Sequence, residues 1–256
     1  MVVDDTSYEP GPGPTTKRRR VTLPLRDAAR SGVRRLPVRS VVSWVRSTPG
    51  THIWLLILAV NSGILAVVSP TARSFLLHHN STNLMELSTH PVRVLVLSAL
   101  WIESPSGFAI YFAFYELVHA PAERRLGTAR WLVVVAVAHI GATLISQRAV
   151  LMGIRDNRLP RSLAHTVDIG VSYGLAGVVG VLTYLLPRRP WPLRWLYAAA
   201  ALGFFGYPLL SGDRTFTDLG HFSAVLIGFA CYALTPAARQ ADAQGPRRSR
   251  PRRWRP

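Results

Sequence analysis

A chain of 256 residues that is 49% hydrophobic and only 17% charged, with a mean hydropathy of +0.20, does not fit a soluble domain, which would distribute its charge along its length. The formal net charge of +17 is concentrated at the two ends and in short loops. The single cysteine, Cys231 in a late apolar run, excludes an intrachain disulfide framework and a Cys-rich zinc site, and reads as a small packing residue.

Residues 1–50 read as a basic cytoplasmic tail containing Lys17-Arg-Arg-Arg20. The opening stretch has the Gly, Pro and Thr content of a disordered segment, and no apolar run resembles a signal peptide. Val38, Val41, Val42 and Val45 recur at i, i+3, i+4 and i+7, which predicts a short helix over 38–46 with Arg39 and Arg46 on other faces. Such a helix suits a membrane surface with anionic lipid headgroups; a solvated basic tail is the alternative. Nucleic acid is not an expected partner, because the segment offers charge without a folded, base-reading surface.

Residues 51–236 read as a membrane domain in which six passes of roughly 20 residues each can be drawn. The first runs from His52 to Ser69, the third from Trp131 to Ala149, the fourth from Gly170 to Leu186, the fifth from Trp191 to Leu210 and the sixth from Asp218 to Leu234. The second is interrupted at Glu103-Ser-Pro-Ser-Gly107. It is placed at Ser106 to Ala120, with Val92 to Ile102 partly embedded in the preceding loop. Residues 237–256 form a second basic, disordered tail. With this topology, 23 of the 30 Lys and Arg fall on one side, which puts both termini in the cytoplasm and the chain in the cell membrane. Trp54, Trp131, Trp191 and Trp195 fall near span ends, as interfacial anchors do.

Ser172 lies near the start of the fourth span and His221 near the start of the sixth, so the two share a depth on the outer side. Gly170, Gly174 and Gly177 recur at i, i+4 and i+7, and Gly220, Ala224 and Gly228 at i, i+4 and i+8. Small-residue faces of this kind let membrane helices approach closely. A serine becomes a nucleophile beside a base, and histidine is the usual one. Two readings stand side by side: Ser172 as interhelical glue with His221 a satisfied structural histidine, or the two as a catalytic pair. Elsewhere, His78, His79 and His90 share a loop with Glu86 but lack a metal-ligand spacing, so no metal or cofactor is expected. Glu116, His119 and His139 lie in or near spans and suit a proton relay as a minority reading.

Gly170-Val-Ser172-Tyr and His221-Phe-Ser-Ala224-Val-Leu-Ile-Gly228 resemble the Gly-x-Ser-x and His-x-x-Gly-x-x-x-Gly motifs of the rhomboid intramembrane serine proteases, with Ala224 in place of the first motif glycine. Ala122-Glu-Arg-Arg-Leu-Gly127, after the second span, resembles the Glu-x-x-Leu-Gly stretch of that family, and Arg93 sits where its embedded first loop has a Trp-Arg pair. The resemblance covers about residues 50 to 236. It implies an all-α, six-span bundle in which Ser172 is the nucleophile and His221 the base. Transmembrane helices of membrane-protein substrates would be cut near the outer face without a metal, cofactor or third acidic residue. Gly170 and Tyr111 would support the oxyanion. Glu123, Gly127, Arg93, Gly174, Ala224 and Gly228 would be structural, and Asp168 and Asp218 would be helix N-terminal residues. One departure matters: the second-span His-x-x-x-Asn positions fall on Gly107 and Tyr111. Losing one oxyanion donor costs about 10² to 10³ in rate. A catalytically silent rhomboid-like protein that binds client transmembrane helices is therefore the alternative.

Overall fold

The computed structural model describes residues 38–187, 190, 192–212 and 214–239; of the expected tails at 1–50 and 237–256, residues 1–37 and 240–256 lie outside the described residues. No strand occurs among the described residues. The helices are α1 (Val38–Ser47), α2 (Pro49–Val67), α3 (Pro70–His79), α4 (Leu84–Thr89), α5 (Pro91–Leu97), α6 (Phe108–Phe114), α7 (Ala120–Leu126), α8 (Thr128–Arg155), α9 (Val171–Leu185), α10 (Pro192–Leu210) and α11 (Phe216–Ala230). The chain divides after Val41. Before that break only the first turn of α1 lies among the described residues.

The centre of the bundle is α9, packed between α8 and α11. Eleven of its fifteen residues are buried, so the glycine-rich helix is enclosed by protein. Its lower half packs with Trp131, Val134 and Val135 of α8 through Val178, Val181 and Leu182. Its upper half meets small residues, Ala138 and Ala142 of α8 and Ala224 of α11. By contrast α10 buries only Ala201 and exposes Trp195, Leu196, Phe204, Tyr207 and Leu210, an apolar face suited to lipid.

The second apolar segment differs from expectation. Val92 to Ile102 is a packed helical element rather than a loosely embedded loop: α5 passes into a 3₁₀ turn at Ser98–Leu100, with Val94, Ala99, Trp101 and Ile102 buried. The following helix runs Pro105–Leu126, bent by 59° from the first piece. It therefore continues past Ala120, and the Ala122–Leu126 motif is helical rather than a loop. Pro121 gives the physical reason for its irregular middle. A proline has no N–H to donate one turn back and crowds the carbonyl there, and the chain widens into a π turn at Tyr115–His119 just before it.

The π turn also anchors the helix before the first span. Glu116 accepts a hydrogen bond from Trp44 Nε1 at 2.8 Å and lies 3.1 Å from His52 Nε2. Arg124 stacks over the Trp44 ring at 5.5 Å. Glu116 is thus held by α1 and α2, while His119 is buried against Trp131 and His139 bonds the Leu95 carbonyl. The three groups lie in separate contacts and do not form the chain a relay would need.

Among the described residues, three helices are long and apolar enough to cross a membrane, Pro49–Val67, Thr128–Arg155 and Phe216–Arg239, or four if the bent pair counts as one span. At ~1.5 Å per residue, the fifteen-residue α9 is about 22 Å long, shorter than a full apolar core.

Candidate active site

Ser172 is the second residue of α9, so its backbone N–H is one of those that helical bonding leaves free. Gly170, the residue before the helix, is pressed against α8: a Cβ there would enter the ring of His139. His139 in turn bonds the Leu95 carbonyl at 2.8 Å and faces Ser98 Oγ at 3.3 Å, tying the start of α9 to the end of α5. The position of Ser172 is therefore set by a close backbone approach on its α8 side.

His221 is brought up by α11, whose start is fixed by a capping box. Thr215 N–H donates to Asp218 Oδ2 at 2.8 Å, and Asp218 N–H donates to Thr215 Oγ1 at 3.3 Å. The Tyr173 ring lies over Gly220, where a Cβ would sit 2.6 Å from ring carbons. Further along, a Cβ on Gly228 would collide with the Gly177 carbonyl, and one on Gly180 with the Val225 carbonyl. These approaches let α11 close on α9, and His221 Nε2 and Ser172 Oγ are 2.8 Å apart. The Thr217 backbone carbonyl, one turn back, accepts from the other ring nitrogen, which leaves Nε2 to accept the serine proton. The Tyr173 ring packs edge-on to the imidazole at 5.1 Å.

The small-residue stripe is divided more finely than its spacing predicts. Gly170 and Gly174 face α8, against His139 and Val135, while Gly177 meets both Ala138 of α8 and α11. Gly180, outside the expected set, completes the contact with α11. The stripe is wide enough to serve two neighbours, and spacing alone cannot separate them. Ala224 is fully buried in the same cluster, so its methyl fits where the family motif carries glycine.

The structural residues lie away from this pair. Glu123 is 1% exposed and accepts from Gly50 N–H at 2.9 Å, Thr51 N–H at 2.7 Å, Thr51 Oγ1 at 2.7 Å and Thr128 Oγ1 at 2.7 Å. It caps the start of α2 with its negative charge and holds the α7–α8 corner. Gly127 turns that corner at φ 83°, a conformation that favours glycine. Arg93 pairs with Glu86 and the His79 carbonyl.

Asp168 is not a helix cap. It is 2% exposed and accepts from Gln147 Nε2 at 2.9 Å, Thr82 Oγ1 at 3.2 Å and Tyr173 OH at 3.0 Å, while its N–H donates to Ser81 Oγ at 2.7 Å. Burial pushes its carboxyl above the usual carboxylate range, with these hydrogen bonds acting in opposition. The network gathers a loop, α8 and Tyr173 behind the Ser172–His221 pair. Sequence reading missed it, although a tyrosine directly after the serine was a visible signal.

Two cavities meet at Ser172, His221 and Tyr111. One, of about 350 Å³, is lined by polar groups including Glu103, Ser104, Asp168 and Thr217. The other, of about 850 Å³, is apolar and runs between α6 and α10 past Leu175, Val179, Tyr197 and Phe204. Gly107 borders the polar cavity, and a Cβ there would meet only Ile102 Cγ2, at 3.4 Å.

Among the described residues, helices without strands, several of them apolar and of membrane length, and a hydroxyl hydrogen-bonded to an imidazole between a polar and an apolar cavity define a helical membrane protein with a polar site. A family model described as rhomboid-like protein matches residues 43–241, and the chain belongs to that family. Comparison with curated proteins and with solved structures gave no match.

Proposed function

We propose that this protein is a serine intramembrane protease that cleaves transmembrane helices near the outer membrane face, with Ser172 as nucleophile and His221 as general base. The observation that carries the reading is the 2.8 Å contact between Ser172 Oγ and His221 Nε2 at the junction of the two cavities. The apolar cavity suits an entering helix, and the polar one suits water and the unwound segment around the cut bond. In the reaction, Ser172 Oγ attacks the peptide carbonyl as its proton passes to His221 Nε2. The carbonyl oxygen takes the negative charge, stabilised by the Ser172 N–H and the positive end of α9. Collapse breaks the C–N bond, and His221 returns the proton to the leaving amine. A water molecule, deprotonated by His221, then hydrolyses the acyl-serine and regenerates both groups.

The reading carries six spans with both termini in the cytoplasm and the cell membrane as location. Residues 51–236 form the membrane domain, and the basic tails at 1–50 and 237–256 meet anionic headgroups. Glu123, Gly127, Arg93, Gly174, Ala224 and Gly228 hold the frame, while Gly170 and Tyr111 border the oxyanion position. A second reading, an inactive rhomboid-like protein that binds client helices, is favoured by one feature: Gly107 and Tyr111 replace two oxyanion donors of the family pattern. Reconstitution in liposomes with single-span reporter proteins separates the two. The protease reading expects cleavage products from wild type and none from Ser172→Ala. Stable reporter capture without cleavage, the same in both variants, would establish the second reading instead.

A further inference from the structure

We infer that Glu103 makes this site selective for substrates with a lysine or arginine beside the cleaved bond, an inference that rests on the protease reading. Glu103 lies in the break between α5 and α6, directly after Trp101 and Ile102, which are 9% and 4% exposed and pin the segment to the core. Its side chain lines the polar cavity that also contains Ser172, His221, Tyr111 and Asp168. Among the described residues Glu103 makes no ion pair and no side-chain hydrogen bond, and no lysine or arginine lines either cavity.

The second carboxylate of the cavity, Asp168, is already engaged. Gln147, Thr82 and Tyr173 occupy its two oxygens, so it offers little to an incoming group. Glu103, solvent-facing and uncompensated, is the group at which a substrate cation would find a partner. The cavity measures about 350 Å³, ample room for an extended basic side chain. Gly107, on the same cavity, contributes no side chain to its lining. A cation reaching Glu103 would thus hold the adjacent carbonyl near Ser172 Oγ, whereas an acidic side chain would meet like charge in a partly enclosed space.

Because Glu103 is exposed, the discrimination is that of a solvated ion pair, about three- to fivefold. Peptidyl phosphonate probes that differ only in the side chain next to phosphorus, lysine, norleucine or glutamate, are reacted with the full-length protein in detergent. Labelling of Ser172 is followed by mass spectrometry. Wild type is expected to react with the lysine probe three- to fivefold faster than with norleucine, and slowest with glutamate. The lysine advantage should vanish in Glu103→Gln, reverse in Glu103→Lys, and shrink in high salt. Equal rates for the three probes, or a lysine advantage unchanged in Glu103→Gln, overturn this inference and leave the protease reading standing. Absence of labelling by all three probes and by a side-chain-free fluorophosphonate overturns both, through the function itself.

Discussion

The Ser172 hydroxyl sits on the first turn of α9 with its own N–H and the positive end of the helix behind it, and its proton faces His221 Nε2. On the opposite side Gly107 offers no side chain, and the donor that borders the cavity there is the Tyr111 hydroxyl. A Cβ can be added at Gly107, where it meets only Ile102 Cγ2, at 3.4 Å. Gly107→His is therefore expected to raise kcat on a reporter substrate by about 10- to 100-fold, the scale of one oxyanion donor. An unchanged or lower kcat would mean that the α9 N-terminus alone carries the charge. Asp168 gives a second residue-scale test. Its raised carboxyl pKa means that the folded state holds the proton more tightly than the unfolded chain, so its stabilisation is present at low pH and lost as pH rises through the folded value. Asp168→Asn, which keeps partners for Gln147, Thr82 and Tyr173, should gain in melting temperature relative to wild type as pH rises. A difference that stays flat or shrinks with pH would refute that assignment. Ser172 and His221 were legible in the sequence because a hydroxyl and an imidazole stand out in apolar runs. The Asp168 network was not, since Ser81 and Thr82 meet it across more than 80 positions, and no local spacing encodes such a contact.

At the scale of elements, the approach of α11 to α9 decides whether the pair forms at all. Gly177, Gly180 and Gly228 bring backbone against backbone, and no side chain can be added there without moving a helix. Gly228→Val should destabilise the fold by about 1 to 3 kcal/mol, the range for overpacking, and should also separate Ser172 from His221. Melting temperature in detergent and Ser172 labelling are expected to fall together; retention of both would show that the helices have slack. The small-residue pattern told which helices come close. It could not tell which neighbour each glycine serves, because one broad stripe faces both α8 and α11. The second apolar segment was misjudged for a related reason. Glu103-Ser-Pro-Ser reads locally as a stop, but burial of Val94, Trp101 and Ile102 makes the preceding stretch part of the packed bundle. Pro121 reads as an end, yet the π turn before it lets the helix continue to Leu126.

For the whole molecule, composition was enough to place the chain among membrane proteins, and the distribution of arginine leads us to propose that both termini are cytoplasmic. Helix lengths are less uniform than apolar runs suggest: α9 has fifteen residues, eleven of them buried, whereas α8 has twenty-eight. The proposed six-span arrangement predicts that reporter fusions at the N- and C-termini both respond as cytoplasmic, and that a fusion in the α8–α9 loop reports the opposite side. Termini on opposite sides would require an odd number of spans and a different depth for Ser172. The central claim concerns the chemistry of that serine, and its reaction with a fluorophosphonate probe on the purified, folded protein tests it most directly. The predicted result is a covalent adduct mapped to Ser172, absent in Ser172→Ala and slower by about 10² or more in His221→Ala, the loss expected for a general base. No adduct at Ser172 in wild type, or a rate indifferent to His221, would contradict it.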